Sequence, residues 1–129
     1  MAGRCAQAIS LLVSYMNRTP AVAEFVGSWE SVVQFDLEGE EPFAVVFKGG
    51  RATLERGRMT CPDVTLYADS GSFYEMMTGK TSQDDAFATG LVDIKGSIID
   101  SVRFRHAAEL TQEKHRTLFS ALRTFSRFT

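Results

Sequence analysis

The side chains best suited to acid–base or metal chemistry are the two histidines, His106 and His115, with the carboxylates near them. His106, Glu109 and Glu113 stand at offsets 0, 3 and 7, so one helix face would carry all three. A metal there would need further ligands from a second helix, and the sequence offers no such set. A polar helix flank explains the same spacing without a metal. Cys5 and Cys61 are too few for a disulfide framework and lack the paired spacing of a zinc site. Free thiols in a reducing compartment are the expectation. There is no nucleophile elbow or P-loop. Gly49-Gly50 and Gly57 lack the strand–glycine–helix context of a phosphate loop, so they read as turns. Arg51, Arg56 and Arg58 form a small basic edge without interleaved aromatics, and the formal net charge is −2, so nucleic acid is not an expected partner. Catalytic motifs are therefore scarce, and an uncharacterised enzyme using the His106, Glu109 and Glu113 face stays open as an alternative class.

The remaining chemistry is apolar. The 129 residues include ten Phe against three Tyr and one Trp. Phe is bulky and has no polar tip, so this excess implies a greasy interior or a greasy cavity. Phe73, Met76, Met77, Phe87, Phe119 and Phe125 come from three short segments outside the strands. Met repacks around variable shapes. Together these residues could form a deformable wall for an apolar ligand, although core packing accounts for them as well.

The elements that must position this wall can be read from periodicity. Cys5, Ile9, Leu12, Val13 and Met16 fall on one stripe of a helix. Polar residues interrupt the run, so an amphipathic helix fits better than a cleaved signal peptide. Thr19-Pro20 starts a second helix, with Thr19 as cap, Pro20 in the first turn, and Val22, Phe25, Val26 and Trp29 on one side. A strand meander follows. Gly49-Gly50 makes a two-residue hairpin that sets Lys48 opposite Arg51, Phe47 opposite Ala52 and Val45 opposite Leu54. Across the acidic turn Glu38 to Pro42, Leu37 is expected opposite Phe43 and Phe35 opposite Val45. Val33, Phe35, Leu37, Phe43, Val45, Phe47, Ala52 and Leu54 then share one face, while Gln34, Asp36, Lys48, Thr53 and Glu55 make the other mostly wet.

A fourth strand is expected over 63–68, with Val64, Leu66 and Ala68 on one face. Ser72 and Glu75 have capping-box spacing for a short helix carrying Phe73, Met76 and Met77 and ending at Gly79. A helical turn over 84–89 carries Phe87. A fifth strand over 91–95 points Val92 and Ile94 inward. Ser97 with Asp100 caps a helix whose apolar side holds Ile98, Ile99, Val102 and Ala108. A last helix, about 112–127, carries Leu118, Phe119, Leu122 and Phe125. The whole chain, 1–129, reads as one domain.

Charge is uneven. Residues 103–129 hold six bases and two acids, a net +4, while the remainder holds eight bases and fourteen acids, a net −6. The basic end (Arg116, Arg123 and Arg127) could meet an anionic membrane transiently, or simply be a solvated helix face. No stretch reaches the ~20 apolar residues that span a bilayer.

The order of these segments resembles the sterol carrier protein type-two family, the sterol-binding or sterol-transfer domain, from about Val22 to about Leu122. The resemblance lies in Val33-Gln34-Phe35-Asp36-Leu37, the Gly49-Gly50 hairpin, Pro62-Asp63-Val64-Thr65-Leu66, Ser72-Phe73 and Gly79. Its best local match is Ala86-Phe87 followed by Gly90-Leu91-Val92-Asp93-Ile94-Lys95-Gly96. The family often continues with Asp after that last glycine; this chain has Ser97, which can still cap a helix. The resemblance implies an α+β fold: a five-stranded, largely antiparallel sheet, helices over one face, and an elongated apolar tunnel between the layers. It also implies non-catalytic binding or transfer of a fatty acid, fatty acyl-CoA, sterol or phospholipid. Candidate wall residues are Phe73, Met76, Met77, Phe87, Val92, Ile94, Phe119 and Leu122. The chain ends Arg127-Phe128-Thr129, which does not match the peroxisomal Ser-Lys-Leu signal, so peroxisomal import is not expected; a cytoplasmic location is the expectation. The alternative is an accessory protein whose apolar groove binds a partner chain or forms a homodimer.

Overall fold

The Gly49-Gly50 turn organises the centre of the molecule. In the computed structural model, which describes residues 3–77 and 90–115, both glycines take positive φ, 61° and 75°. A two-residue hairpin loop needs that backbone region, and glycine enters it without a Cβ clash. Strands β1 (Ser31–Glu38), β2 (Phe43–Lys48) and β3 (Arg51–Arg56) form the meander. Lys48 pairs with Arg51, Phe47 with Ala52 and Val45 with Leu54, the register expected from the turn.

The first hairpin differs. Phe35 pairs with Phe43 and Val33 with Val45, two residues away from the expected register. A slip of two leaves every side chain on its own face, so apolar alternation cannot distinguish the two pairings. The loop decides: Gly39 turns at φ 100° and the Glu40 N–H donates to Leu37 O. β1 therefore runs past the end of β2, and Leu37 lies beside Ala68 of β4 (Val64–Asp69) instead. The eight expected inward residues share one face. Seven are buried, and Leu54 is half-buried.

The strand order is β3-β2-β1-β4-β5, with β5 spanning Val92–Gly96. β1 and β4 are parallel, which corrects the antiparallel picture at the middle of the sheet. The reason is the link between β3 and β4. It crosses the outer face of the sheet instead of turning back at its edge. Gly57 N–H donates to Pro42 O, and Asp63 N–H donates to Val32 O.

That crossing buries Gln34, which the sequence places on the wet face. Gln34 is 3% exposed. Its Nε2 donates to Phe43 O at 3.0 Å and Gly57 O at 3.1 Å, and its Oε1 accepts from Met59 N–H at 2.8 Å. Nearby, Arg58 pairs with Asp36. Gln34→Leu keeps the size of the side chain but strips partners from buried backbone groups. We expect unfolding in urea to lose about 2–3 kcal/mol. A loss below about 0.5 kcal/mol would show that this amide does not hold the link.

Four helices stand among the described residues: α1 (Arg4–Met16), α2 (Pro20–Val26), α3 (Ser70–Met77) and α4 (Ile98–Lys114). The α1 stripe of Cys5, Ile9, Leu12, Val13 and Met16 is buried and joins the sheet's inner face in one core. Thr19 stands at the N-cap of α2, but its side chain does not cap the helix. Its hydroxyl donates to Tyr15 O at 2.6 Å, so His115 Nε2, 2.9 Å away, must donate to it. α3 begins directly after β4. Asp69 caps it, accepting from Ser72 N–H at 3.1 Å, in place of the expected Ser72–Glu75 box. Ser97 caps α4 as expected, its Oγ accepting from Asp100 N–H at 3.1 Å.

α4 corrects two further expectations. Its buried residues are Ser101, Phe104, Ala107, Ala108 and Thr111, whereas Ile98, Ile99 and Val102 are exposed. The small side chains let the helix approach the sheet. Its buried hydroxyls are satisfied locally, Ser101 by Ile98 O and Thr111 by Ala107 O. The helix also runs through Lys114, so residues 112–114 belong to it and not to a separate last helix. The rest of that expected helix, the turn over 84–89 and the Gly79 stop lie outside the described residues.

Candidate ligand-binding site

Phe35 sets the floor beneath the helices. Its ring stacks on Phe43 (centroids 4.9 Å apart, planes at 9°) and meets Phe73 at 5.7 Å and Phe104 at 5.4 Å edge-on. Phe73 comes from α3 and Phe104 from α4, so one ring on β1 organises both covering helices. Above these rings α1, α3, α4 and β4 do not close completely. The gap is lined by Ile9 and Leu12, Leu66, Phe73, Met76 and Met77, and Phe104 and Ala108, with Ser101, Arg105 and Gln112 as its polar members. Its free volume is about 40 Å³. It is a narrow cleft among the described residues.

The polar members all lie on α4 and are engaged. Ser101 Oγ donates within its own helix, Arg105 Nε donates to Glu109 at 3.2 Å, and Gln112 Nε2 reaches Met77 O at 3.5 Å. The last contact ties α4 to the end of α3. The cleft therefore has an apolar wall with its polar groups on one helix, an arrangement suited to an amphiphile.

Two larger depressions differ in character. One, of about 240 Å³, lies between α1 and the β2–β3 hairpin and includes Gln7, Ser10, Glu41 and Arg56. The other, of about 520 Å³, is an open hollow with Asp36, Glu38 and Asp69 on its wall. The first mixes those groups with Ala6, Pro42, Phe43 and Leu54, whereas the charged wall of the second makes it a poor home for an apolar molecule.

Of the wall residues named from the sequence, Phe73, Met76 and Met77 meet at the cleft. Val92 is buried and Ile94 half-buried on β5; neither is among the residues lining the cleft, although Ile94 pairs with Leu66, which is. Phe87, Phe119 and Leu122 lie outside the described residues. Sequence reasoning did not assign Ile9, Leu12, Leu66 and Phe104 to the site. The first three were visible as inward-facing positions, yet periodicity does not separate a residue beside a gap from one in solid core.

His106, Glu109 and Glu113 are exposed, and Glu109 is taken by Arg105. No group of three or more His, Cys, Asp or Glu side chains that could hold a metal occurs among the described residues. Cys61 is exposed, whereas Cys5 is buried. The Cys5 thiol donates to Ser70 O at 3.1 Å. Burial pushes its pKa up, and the neighbouring Glu40 carboxylate acts the same way. An unfolded cysteine ionises near ~8.5, so the stability held by the neutral thiol is complete below that pH and is lost progressively above it.

A mixed five-stranded sheet under helices, with a narrow apolar cleft between the layers, defines an α+β domain. Residues 12–109 match the model of the SCP-2 sterol transfer family. The chain belongs to that family, whose domains in general bind or transfer lipids and are not catalytic. It is 36% identical over 78 residues to hydroxysteroid dehydrogenase-like protein 2 of Xenopus tropicalis. That alignment covers 58% of this chain and 19% of the relative, so the chain matches only a small part of the relative's length. Among solved structures, a UbiJ-SCP2 ubiquinone synthesis protein superposes with TM-score 0.69 at 17% identity, covering 83% of this chain and 95% of that one. Palmitated SCP2L2 of Aedes aegypti superposes with TM-score 0.62 at 19% identity, covering 86% and 95%. These similarities show the shared fold. No helix among the described residues is long and apolar enough to cross a membrane.

Proposed function

We propose that the chain binds an amphiphilic lipid, with a long-chain fatty acid the best fit, in the cleft between α3, α4 and β4 and transfers it without chemical change. The observation that carries this reading is the cleft wall of Phe73, Met76, Met77 and Phe104, with every polar member on α4. Each CH₂ moved from water into such a wall contributes ~0.8 kcal/mol, so an acyl chain needs little polar help. The head would lie toward Arg105 and Gln112. Fatty acyl-CoA, sterol and phospholipid share the apolar requirement and are the competing ligands. The palmitated state of the Aedes relative makes palmitate the first probe.

The cleft holds about 40 Å³, far below the ~300 Å³ at which ligand pockets begin. Binding therefore requires the cleft to widen. Met76 and Met77 suit that change, because thioether side chains repack with little strain. Native mass spectrometry tests the reading on protein purified without added lipid and then titrated with palmitate. Added mass from a lipid, or one-to-one uptake of palmitate, is expected. Met77→Trp, which fills the half-buried mouth, should weaken uptake at least about tenfold, the equivalent of ~1.4 kcal/mol. A clean apoprotein that takes up no palmitate would overturn the proposal.

A further inference from the structure

The two edge strands of the sheet, β3 and β5, end differently. At β3 the Asn17 amide occupies the edge: its Nδ2 donates to Ala52 O and its Oδ1 accepts from Ala52 N–H, both at 2.8 Å. At β5 the direction of the backbone follows from one bond. Ser97 N–H donates to Asp63 O at 2.8 Å, on the β4 side. A trans peptide points its C=O opposite to its N–H, so Gly96 C=O faces away from β4. Backbone groups alternate along an antiparallel ladder. Lys95 and Asp93 therefore turn theirs to Thr65 and Tyr67 of β4. Val92, Ile94 and Gly96 turn theirs to the open edge. Among the described residues, no group hydrogen-bonds to these three along that edge. Such an edge is a template for another strand.

The side chains say which strand. Asp93 and Lys95 are both exposed on the outer face of the sheet. Among the described residues Asp93 has no ion pair, and Lys95 has only the ring of Tyr67, 5.6 Å away. An acid and a base placed symmetrically about Ile94 are complementary to themselves. An antiparallel copy of β5 centred on Ile94 sets each Asp93 opposite the Lys95 of the other copy. These are positions between the hydrogen-bonded pairs, where facing side chains come closest. A pairing centred on Asp93 would set acid against acid, and one centred on Lys95 would set base against base. Charge thus selects the Ile94 register. In that register Val92 exchanges backbone bonds with Gly96 of the other copy, and Ile94 with Ile94. Leu91 comes to lie opposite Ser97 of the other copy, next to its Ile98. Leu91 is 43% exposed and Ile98 62%, so both ends of the pairing would cover apolar surface.

We propose that β5 pairs antiparallel with β5 of a second copy of this chain and joins the two sheets edge to edge. The pairing goes beyond the lipid reading and does not depend on it. A contact one short strand wide falls below the ~800 Å² that a stable dimer buries on each side. The association is therefore reversible and depends on concentration.

The test is sedimentation equilibrium of the full chain over a range of concentrations. The parent should reach twice the monomer mass. Asp93→Lys places bases against bases at both symmetric positions, and Lys95→Asp places acids against acids. Each variant alone should dimerise about tenfold more weakly. Mixed together, the two variants face each other with opposite charges at both positions and should associate at least as well as the parent. That recovery cannot come from a chain that has merely failed to fold. Hydrogen exchange gives a readout free of substitution: the Ile94 amide should slow as the concentration of the parent rises. A parent that stays monomeric up to about 1 mM overturns the inference. So does a dimer indifferent to both charge variants, or a mixture that associates no better than either variant alone. A dimer that withstands the charge changes but is lost on Ile98→Ser with Ile99→Ser would assign the contact to the outer face of α4 and overturn it too.

Discussion

Phe35→Ala will lower the unfolding free energy by about 4 kcal/mol, the range found when a fully buried phenyl ring is removed from a core that cannot collapse. Phe35 is fully buried at the middle strand of the sheet. Its ring meets Phe43 in the same sheet, Phe73 in α3 and Phe104 in α4. Those three neighbours sit on three separate elements, so no single shift can fill the space left behind. Phe104 is further held by Phe47, 6.1 Å away. Phe35→Leu should cost less, about 1–2 kcal/mol, because much of the volume is kept. Chemical denaturation with an unchanged slope is the measurement. A loss below about 2 kcal/mol for the alanine variant would mean that the helical layer settles onto the sheet.

Gly96→Ala is expected to cost about 3 kcal/mol for a different reason. Gly96 has φ +103°, a region that residues with a Cβ enter only with strain of ~1–3 kcal/mol. A Cβ there would also lie 2.5 Å from Asp63 O and 3.1 Å from Val64 Cα. Both are backbone atoms of the neighbouring segment, and Asp63 O already accepts from Ser97 N–H at 2.8 Å. The strand end and the cap of α4 must therefore move together. Gly57→Ala is the control, because Gly57 has φ +92° but nothing within 4 Å of a new Cβ. It should lose only the conformational part, about 1 kcal/mol. Equal losses at the two glycines would remove the steric argument.

The contrast between the two hairpins explains what was legible in the sequence. At Gly49-Gly50 two residues allow one loop geometry, so the register of β2 and β3 followed from the turn. At Glu38 to Pro42 several loop lengths preserve the same faces, and the pairing came out two residues away. Gln34 was misplaced because alternation reports only which face a residue points to. It does not report that a later segment will cover that face. Ile98, Ile99 and Val102 read from the sequence as the apolar side of the helix, with Ala108, whereas α4 buries the smaller Ser101, Ala107, Ala108 and Thr111 with Phe104. The cleft was legible as a set of residue types, Phe73, Met76 and Met77. Its width was not, because the stand-off of a helix depends on side chains meeting from three directions.

The start of α1 depends on residues far along the chain. Gly3 gives it no side-chain cap, and the Glu40 carboxylate serves instead, accepting from Cys5 N–H at 2.9 Å and Ala6 N–H at 3.2 Å. A helix of 13 residues is marginal alone in water. α1 therefore gains its cap only after the β1–β2 loop has formed, although it precedes that loop in the sequence. The parallel pairing of β1 with β4, which joins Val33 to Val64, imposes a similar delay on the sheet. Both closures raise the contact order of the chain, and loop entropy must be spent before either contact stabilises. On this topology the β2–β3 hairpin is a local pairing, whereas α1 takes its cap from a later segment of the chain.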